Sequence, residues 1–225
     1  MRFRCSHRRV DKKQALTLYR PMRAAIQRIL ARAPDACSKA DFKRAAKSLD
    51  LLVEGQIAVE ADDEVAMLID VALFEPNQRG NRVFDRFVSA GNLREEDDAL
   101  ARRMAGDVFT ALQVNEPHEA GGLWCTDLLN DKRRIWLMDE GLSASARIGS
   151  GLFMRLFDAG PFHAGFGIIV PCSDEGTHAL LTAERPRDLL PNTRRLAPFI
   201  YRQETLSRDM AALDRGLDEL LGPGA

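Results

Sequence analysis

Apolar residues recur at Leu18, Met22, Ile26, Ile29 and Ala33, a spacing that draws one stripe along a helix, with Arg20, Arg23, Arg28 and Arg32 on or beside its flanks. Pro21 falls inside the stripe and reads as the first-turn proline of the strong helix, which Pro34-Asp35 ends. Ser38-Lys39-Ala40-Asp41 then supplies the hydroxyl and the carboxylate of a capping-box start. The helix it opens buries Phe42, Ala45, Ala46, Leu49 and Leu52 and is stopped by Gly55. A short strand is expected from Gln56 to Glu60. A third helix follows from about Asp63 to Phe74, acidic in its first turn and apolar nearly all round, which places it centrally in the core. A fourth carries Val83, Phe84, Phe87 and Val88 and is capped by Gly91, and a thinly apolar fifth runs from about Arg94 to Met104 on the surface.

Near Gly106 the period changes from helical to alternating. Val108 to Val114, Leu123 to Leu129, Arg133 to Met138, Leu152 to Phe157 and Phe162 to Val170 read as five strands, with Asn130-Asp131 as a tight-hairpin signal. Five short strands at this spacing suggest a small barrel or a strongly curled sheet. From Pro186 the pattern returns to helix, with Leu206, Met210, Leu213, Leu217 and Leu220-Leu221 on one stripe. The expected fold is therefore α+β: a basic mobile arm (1–13), a helical domain (14–105), a five-stranded antiparallel barrel-like module (106–175), and a linker with a C-terminal amphipathic helix (176–225). No internal repeat is visible.

The order of elements resembles a known group. Ala45-Ala46-Lys47-Ser48-Leu49-Asp50-Leu51-Leu52 and Met67-Leu68-Ile69-Asp70 precede a β module containing Asp127-Leu128-Leu129-Asn130-Asp131 and Gly151-Leu152-Phe153-Met154-Arg155-Leu156. Over residues 40–170 this resembles uncharacterised bacterial proteins that join a helical region to a small β-barrel. Some of those carry a zinc motif like the one at the C-terminus of the SecA translocase. That cysteine-rich motif is absent here, so the resemblance implies the layout and transfers no ligand chemistry.

Charge changes the picture more than composition does. Hydrophobic residues make up 45% and charged residues 29%, an ordinary globular balance, and the net charge is −1. Residues 1–49 nevertheless hold fourteen Lys/Arg against three Asp/Glu, whereas residues 50–100 hold four against thirteen. Two adjoining segments of +11 and −9 are unlike a well-mixed surface. No run approaches the roughly 18–20 apolar residues that span a bilayer, and no apolar stretch follows the basic start as in a secretory signal. With no such run, no membrane partner is expected, and single, scattered cysteines (Cys5, Cys37, Cys125, Cys172) point to free thiols in a reducing cytoplasm.

Candidate chemistry follows from these patterns. Lys39, Lys43 and Lys47 repeat every four residues along one helix face, with Arg44 adjacent, and suit phosphate neutralisation. The competing account is that this basic segment packs on the acidic one. Lys132-Arg133-Arg134 leads into Trp136, with Trp124 one hairpin away; by alternation Arg134 and Trp136 share a face, as on single-strand-binding barrels, while Ile135 and Leu137 share the other. Both tryptophans also suit a core. Asp127, Asp131, Asp139 and Glu140 cluster around one hairpin and could hold Mg²⁺, though turn-forming aspartates are common. His7, His118, His163 and His178 make no paired metal-ligand spacing with the cysteines. Gly149-Ser150-Gly151 and Gly165-Phe166-Gly167 match neither a phosphate loop nor a nucleophile elbow. The reading is a non-enzymatic binding protein without cofactor or metal, contacting DNA or RNA phosphates through Lys39, Lys43, Arg44 and Lys47, aided by Arg134 and Trp136. The alternative is an adaptor that self-associates as a homodimer or binds a protein partner.

Overall fold

The computed structural model describes residues 11–190 and 195–207. Helix α1 (Lys12–Arg32) begins a full two turns before Pro21, because Asp11 and Gln14 form a complete capping box, with Gln14 N–H donating to Asp11 Oδ1 at 2.8 Å. Pro21 thus lies inside the helix, where it removes one backbone hydrogen bond. Burial of Ala15 and Tyr19 holds the turns that precede it. Lys12 and Lys13 are helical and belong to no arm; the rest of the expected arm, residues 1–10, lies outside the described residues.

A 3₁₀ turn over Ala33–Ala36 leads to α2 (Lys39–Ser48), opened by the expected box: Ser38 Oγ accepts from Asp41 N–H at 3.2 Å, and Asp41 Oδ2 accepts from Ser38 N–H at 3.0 Å. The helix ends well before Gly55. Asp50 adopts a left-handed φ of 59°, and Leu51 N–H turns back to Ala46 O at 2.9 Å. Gly55 instead serves the turn of a tight hairpin, β1 (Leu52–Val53) with β2 (Gln56–Ile57). There Glu54 and Gly55 take the two positive φ values that such a turn requires, and the expected single strand becomes this pair. Helices α3 (Asp62–Phe74), α4 (Val83–Ser89) and α5 (Glu95–Met104) follow as the pattern predicts.

Five strands occupy the expected places: β3 (Val108–Pro117), β4 (Leu123–Asp127), β5 (Arg133–Leu137), β6 (Gly151–Asp158) and β7 (His163–Cys172). The expected antiparallel barrel is corrected to a mixed sheet. Four pairings are antiparallel and run in the order β5-β4-β3-β6-β7, but β5 and β7 meet in parallel, through the single bridge Leu137↔His163. The reason is connectivity: β5 is followed by α6 (Glu140–Ser145) and then by β6, which pairs on the far side of β3. The returning β7 therefore reaches β5 from the other end of the sheet. The β4–β5 turn also shifts by one residue, since Asp131 and Lys132 take the left-handed values and Arg133 N–H closes on Asn130 O at 3.2 Å.

Two further helices are absent from the expected elements: α6, and α7 (Asp174–Thr182), which Ser173 Oγ caps by accepting from Gly176 N–H at 3.0 Å. Helix α6 buries nothing and α7 buries only Thr177 and Leu180, so neither writes a stripe. A 3₁₀ turn (Pro186–Leu189) precedes helix α8 (196–207), whose Leu196, Ala197, Ile200 and Tyr201 are buried. The expected apolar stripe from Met210 onwards lies outside the described residues.

Alternation along the strands sorts the core. Leu112, Val114, Leu123, Cys125, Ile135, Leu137, Leu152, Met154 and Leu156 fill the inside of the curled sheet. The outward rows meet helices in two places. Trp136, Met138, Phe157 and Phe162 pack with Tyr19, Ile26 and Ile29 of α1, with Phe84 of α4 and with Met104 of α5. Ala111, Leu128, Phe153 and Val170 pack with Ala45 and Ala46 of α2 and with Ile200 and Tyr201 of α8. Helix α3 serves both cores, giving Leu73 and Phe74 to the first and Met67, Leu68, Val71 and Ala72 to the second.

Between the two outer cores sits an ion cluster. On β6 the outward residue between Phe153 and Phe157 is Arg155; on α3 Asp70 lies between the residues given to either side. The Arg155 guanidinium donates to Asp70 at 2.9 and 3.0 Å, to Asp107 at 2.5 Å and to Glu75 at 3.1 Å, and it lies over the Phe74 ring at 4.9 Å. Tyr201 OH donates to Asp70 at 3.1 Å, and Arg82 bridges Asp107 (2.6 Å) to Asp85. Burial opposes the charge on Arg155, but Asp70 and Asp107 outweigh it and hold the guanidinium well above its ordinary pKa. Burial raises Glu75 and Asp107 against the attraction of Arg155, and burial together with Asp70 raises Tyr201 well above the usual phenol range.

Removing the cation should be costly. Arg155→Met is expected to lower unfolding free energy by about 3–5 kcal/mol in urea titrations at neutral pH, because it leaves buried Asp70 and Glu75 without a cation and Asp107 with Arg82 alone. The deficit should shrink on acidification, since Glu75 and Asp107, raised by burial, take up protons in the folded state first. Tyr201→Phe should cost only about 1 kcal/mol, the worth of one hydrogen bond.

Candidate functional site

The basic segment divides sharply between its arginines and its lysines. Every arginine of α1 is engaged: Arg20 with Glu140 at 2.9 Å, Arg23 with Gly165 O at 3.0 Å, Arg28 with Asp97 at 2.8 Å and Arg32 with Asn92 O at 3.0 Å. Arg44 of α2 is half-buried and donates to Asp41 at 2.8 Å, as Arg86 of α4 does at 3.3 Å. Burial alone would raise the Asp41 carboxyl, but hydrogen bonds from Ser38, Arg44 and Arg86 push it down to about 2. Lys39, Lys43 and Lys47 are exposed, and none makes a hydrogen bond or ion pair among the described residues. The acidic segment therefore meets the basic one at α1 and α5, through Arg28, and leaves the α2 row open.

The sheet face is a different matter. Lys132 Nζ donates to Leu181 O at 2.7 Å and Ala183 O at 2.9 Å, closing the C-terminal carbonyls of α7. Arg133 reaches Asp127 at 3.4 Å, and Arg134 pairs with Glu116 while its guanidinium covers the Trp124 ring at 4.2 Å. Trp136 is only 8% exposed. Its indole N–H donates to Gly121 O at 2.7 Å, His118 stacks flat on it at 3.9 Å, and Phe162 meets it edge-on. Gly122, at φ +77°, permits this arrangement, because a Cβ there would lie 2.3 Å from Leu137 O. Arg134 and Trp136 alternate onto one side of β5, where Trp136 is buried in the first core while Arg134 stays exposed over Trp124 and beside Glu116.

The remaining candidates separate as well. Asp127 is fully buried and accepts from Thr110 Oγ1 at 2.5 Å and Asn130 Nδ2 at 2.9 Å; Asp131 forms the turn, Asp139 caps α6 and Glu140 holds Arg20. Among the described residues no three His, Cys, Asp or Glu side chains converge to hold a metal ion. Burial pushes the Cys37 thiol up to about 11 and Cys125 to about 12, and raises Cys172, so none is a thiolate nucleophile near neutrality. Cys5 and His7 lie outside the described residues. Gly151 is packing, not chemistry, since a Cβ there would strike Thr177 of α7. No helix among the described residues is long and apolar enough to cross a membrane.

Sequence reasoning missed the Arg155 cluster. The signal was present in two places: one charge inside the apolar run Gly151-Leu152-Phe153-Met154-Arg155-Leu156-Phe157, and one opposite charge, Asp70, inside the apolar α3. Lone buried charges of opposite sign have to find each other.

With this geometry in place, comparison with known proteins gives the class. Residues 13–186 match the profile of a family of unknown function, DUF7986, and the chain belongs to that family. No curated protein and no solved structure matches it.

His118 provides a check on the stack. Burial is the main cause that lowers its pKa, and its Nδ1 accepts from Ala120 N–H at 2.9 Å, which favours the neutral ring. The unfolded chain therefore binds a proton that the folded state resists, so stability is complete above pH ~6.5 and falls as pH drops below it. His118→Phe, which keeps a stacking ring, should flatten the decline in thermal midpoint between neutral and mildly acidic pH. His163, lowered in the same direction by burial, leaves part of the slope in place.

Proposed function

We propose that this protein is a non-enzymatic binding protein that contacts nucleic-acid phosphates through the exposed face of α2. The observation that carries the reading is the unpaired state of Lys39, Lys43 and Lys47 beside arginines that are nearly all engaged in the chain's own contacts. Four-residue steps at ~1.5 Å rise put successive ammonium groups ~6 Å apart along one row, which suits a run of phosphates. Lysine is a point charge on a flexible stem, fit for contact without base readout, so the expected binding is independent of sequence. Arg44, fixed by Asp41, positions the flank of the row; Arg134 and Trp136 are left out of the site because both are engaged elsewhere. A cytoplasmic location fits, with Cys37, Cys125 and Cys172 as free thiols.

A salt titration tests it. Binding to fluorescent generic duplex DNA and to single-stranded RNA should weaken steeply with salt, with a log–log slope near −2.7 for three duplex phosphate contacts at about −0.9 each. Lys39→Glu, Lys43→Glu and Lys47→Glu together should abolish that slope while leaving the far-ultraviolet circular dichroism and thermal midpoint unchanged. No binding at low salt, or binding that the triple variant retains, overturns the proposal and favours the adaptor reading.

A further inference from the structure

Lysine is scarce in this chain. Of its 32 basic residues 26 are arginine and six are lysine, and three of the six are Lys39, Lys43 and Lys47. The fold clamps itself with arginine, through Arg20, Arg28, Arg82 and Arg155 among others. Arginine also meets phosphate with a planar fork, so contact with an anion does not by itself call for lysine. What lysine adds is a primary amine, whose neutral fraction is a nucleophile towards acyl carbon. The other three lysines are placed differently. Lys132 gives its ammonium to Leu181 O and Ala183 O, and Lys12 and Lys13 are adjacent in the first turn of α1, where neighbours in sequence do not face each other.

Within the row Lys43 alone has a lysine four residues away on both sides, each ~6 Å along the same helix face. Its side chain is exposed and makes no hydrogen bond or ion pair among the described residues. The carboxylates on and just after α2 are committed elsewhere: Asp41 accepts from Ser38, Arg44 and Arg86, and Asp50 pairs with Arg202 at 3.1 Å. A small anion therefore finds an ammonium on either flank of Lys43 and an amine between them. An acyl phosphate suits that arrangement, because its phosphate can sit on Lys39 or Lys47 while its carbonyl carbon, bonded to the bridging oxygen, lies towards the Lys43 Nζ. We propose that Lys43 is an acylation site that takes the acyl group of a small acyl phosphate held by Lys39 and Lys47. The neutral amine attacks the carbonyl carbon, the bond from that carbon to the bridging oxygen breaks, and inorganic phosphate leaves with the electron pair. The amine gives its proton to water, and an amide remains. Lys39 and Lys47 are positioning residues, and proximity supplies the acceleration. Acylation removes the middle charge of the row. Its effect on binding rests on the nucleic-acid reading above; the modification itself does not.

The test incubates the full chain with acetyl phosphate at neutral pH and follows acetylation of each lysine by peptide mass spectrometry. Lys43 should react roughly tenfold faster than Lys13, an exposed lysine of α1. Lys39→Gln/Lys47→Gln should bring Lys43 down to the rate of Lys13, whereas Lys39→Arg/Lys47→Arg, which keeps both charges, should preserve the preference. N-acetoxysuccinimide, a donor without phosphate, should acetylate the exposed lysines at similar rates. The substituted side chains are exposed, and unchanged circular dichroism will show that the variants fold. Equal rates with acetyl phosphate overturn the proposal. So does a preference for Lys43 that survives in the glutamine variant or is equally strong with the phosphate-free donor. The effect on binding is read separately: Lys43→Gln should move the duplex salt slope from near −2.7 to about −1.8, two contacts at about −0.9 each. Selective acetylation without DNA binding keeps the site and removes the nucleic-acid reading, and DNA binding without selective acetylation does the reverse.

Discussion

A single buried guanidinium holds together parts of this chain that lie far apart in sequence. Arg155 projects from β6 and meets Asp70 of α3, Glu75 at the end of that helix, and Asp107 at the start of β3, while Tyr201 of α8 shares Asp70. Charges taken out of water carry a desolvation cost that only close, well-directed partners offset. Every element contributing to the cluster is therefore constrained in both position and angle. Apolar packing tolerates sliding; a guanidinium serving three carboxylates tolerates little. The cluster lies between the two cores where the sheet meets its helices, so it fixes the register of α3 across both.

The helices then shape the surface. Helix α1 packs with α5 and with sheet residues in the first core, and its four arginines find partners on α5, α6, β7 and the loop at Asn92, so they are consumed in clamping the fold. Helix α2 turns a different face outwards, and its three lysines keep their charge free. The neighbouring hairpin leaves carboxylates and valines exposed. Adjoining elements thus present exposed charge of opposite sign. The family match over residues 13–186 takes in every element from α1 to α7.

Much of this was legible in the chain. The stripes of α3, α4 and α5 and the alternation of all five main strands write themselves because each element buries one face, or both, against something else. Ser38 and Asp41 announce α2 through local hydrogen bonds alone. The start of α1 was misplaced because Pro21 draws attention from the capping box at Asp11, ten residues earlier. Helices α6 and α7 stayed hidden because they bury almost nothing. The lysine row was legible as a repeat of four, since a helix face is a matter of local period.

What the sequence by itself determined is therefore the helices α2 to α5, the five main strands, the change from helix to strand near Gly106 and the candidate row on α2, all consequences of interactions within a few residues of each other. Only the tertiary structure decided which charges are spent and which are free. Arg134 and Lys47 look alike in a list of cations, yet one lies on an indole beside a carboxylate and the other faces solvent. It also decided that the sheet is mixed, through one parallel bridge between β5 and β7, and that Asp70 meets Arg155 across eighty-five positions. Ion pairing and strand closure depend on distance in space, and local pattern carries no record of which distant residue will arrive.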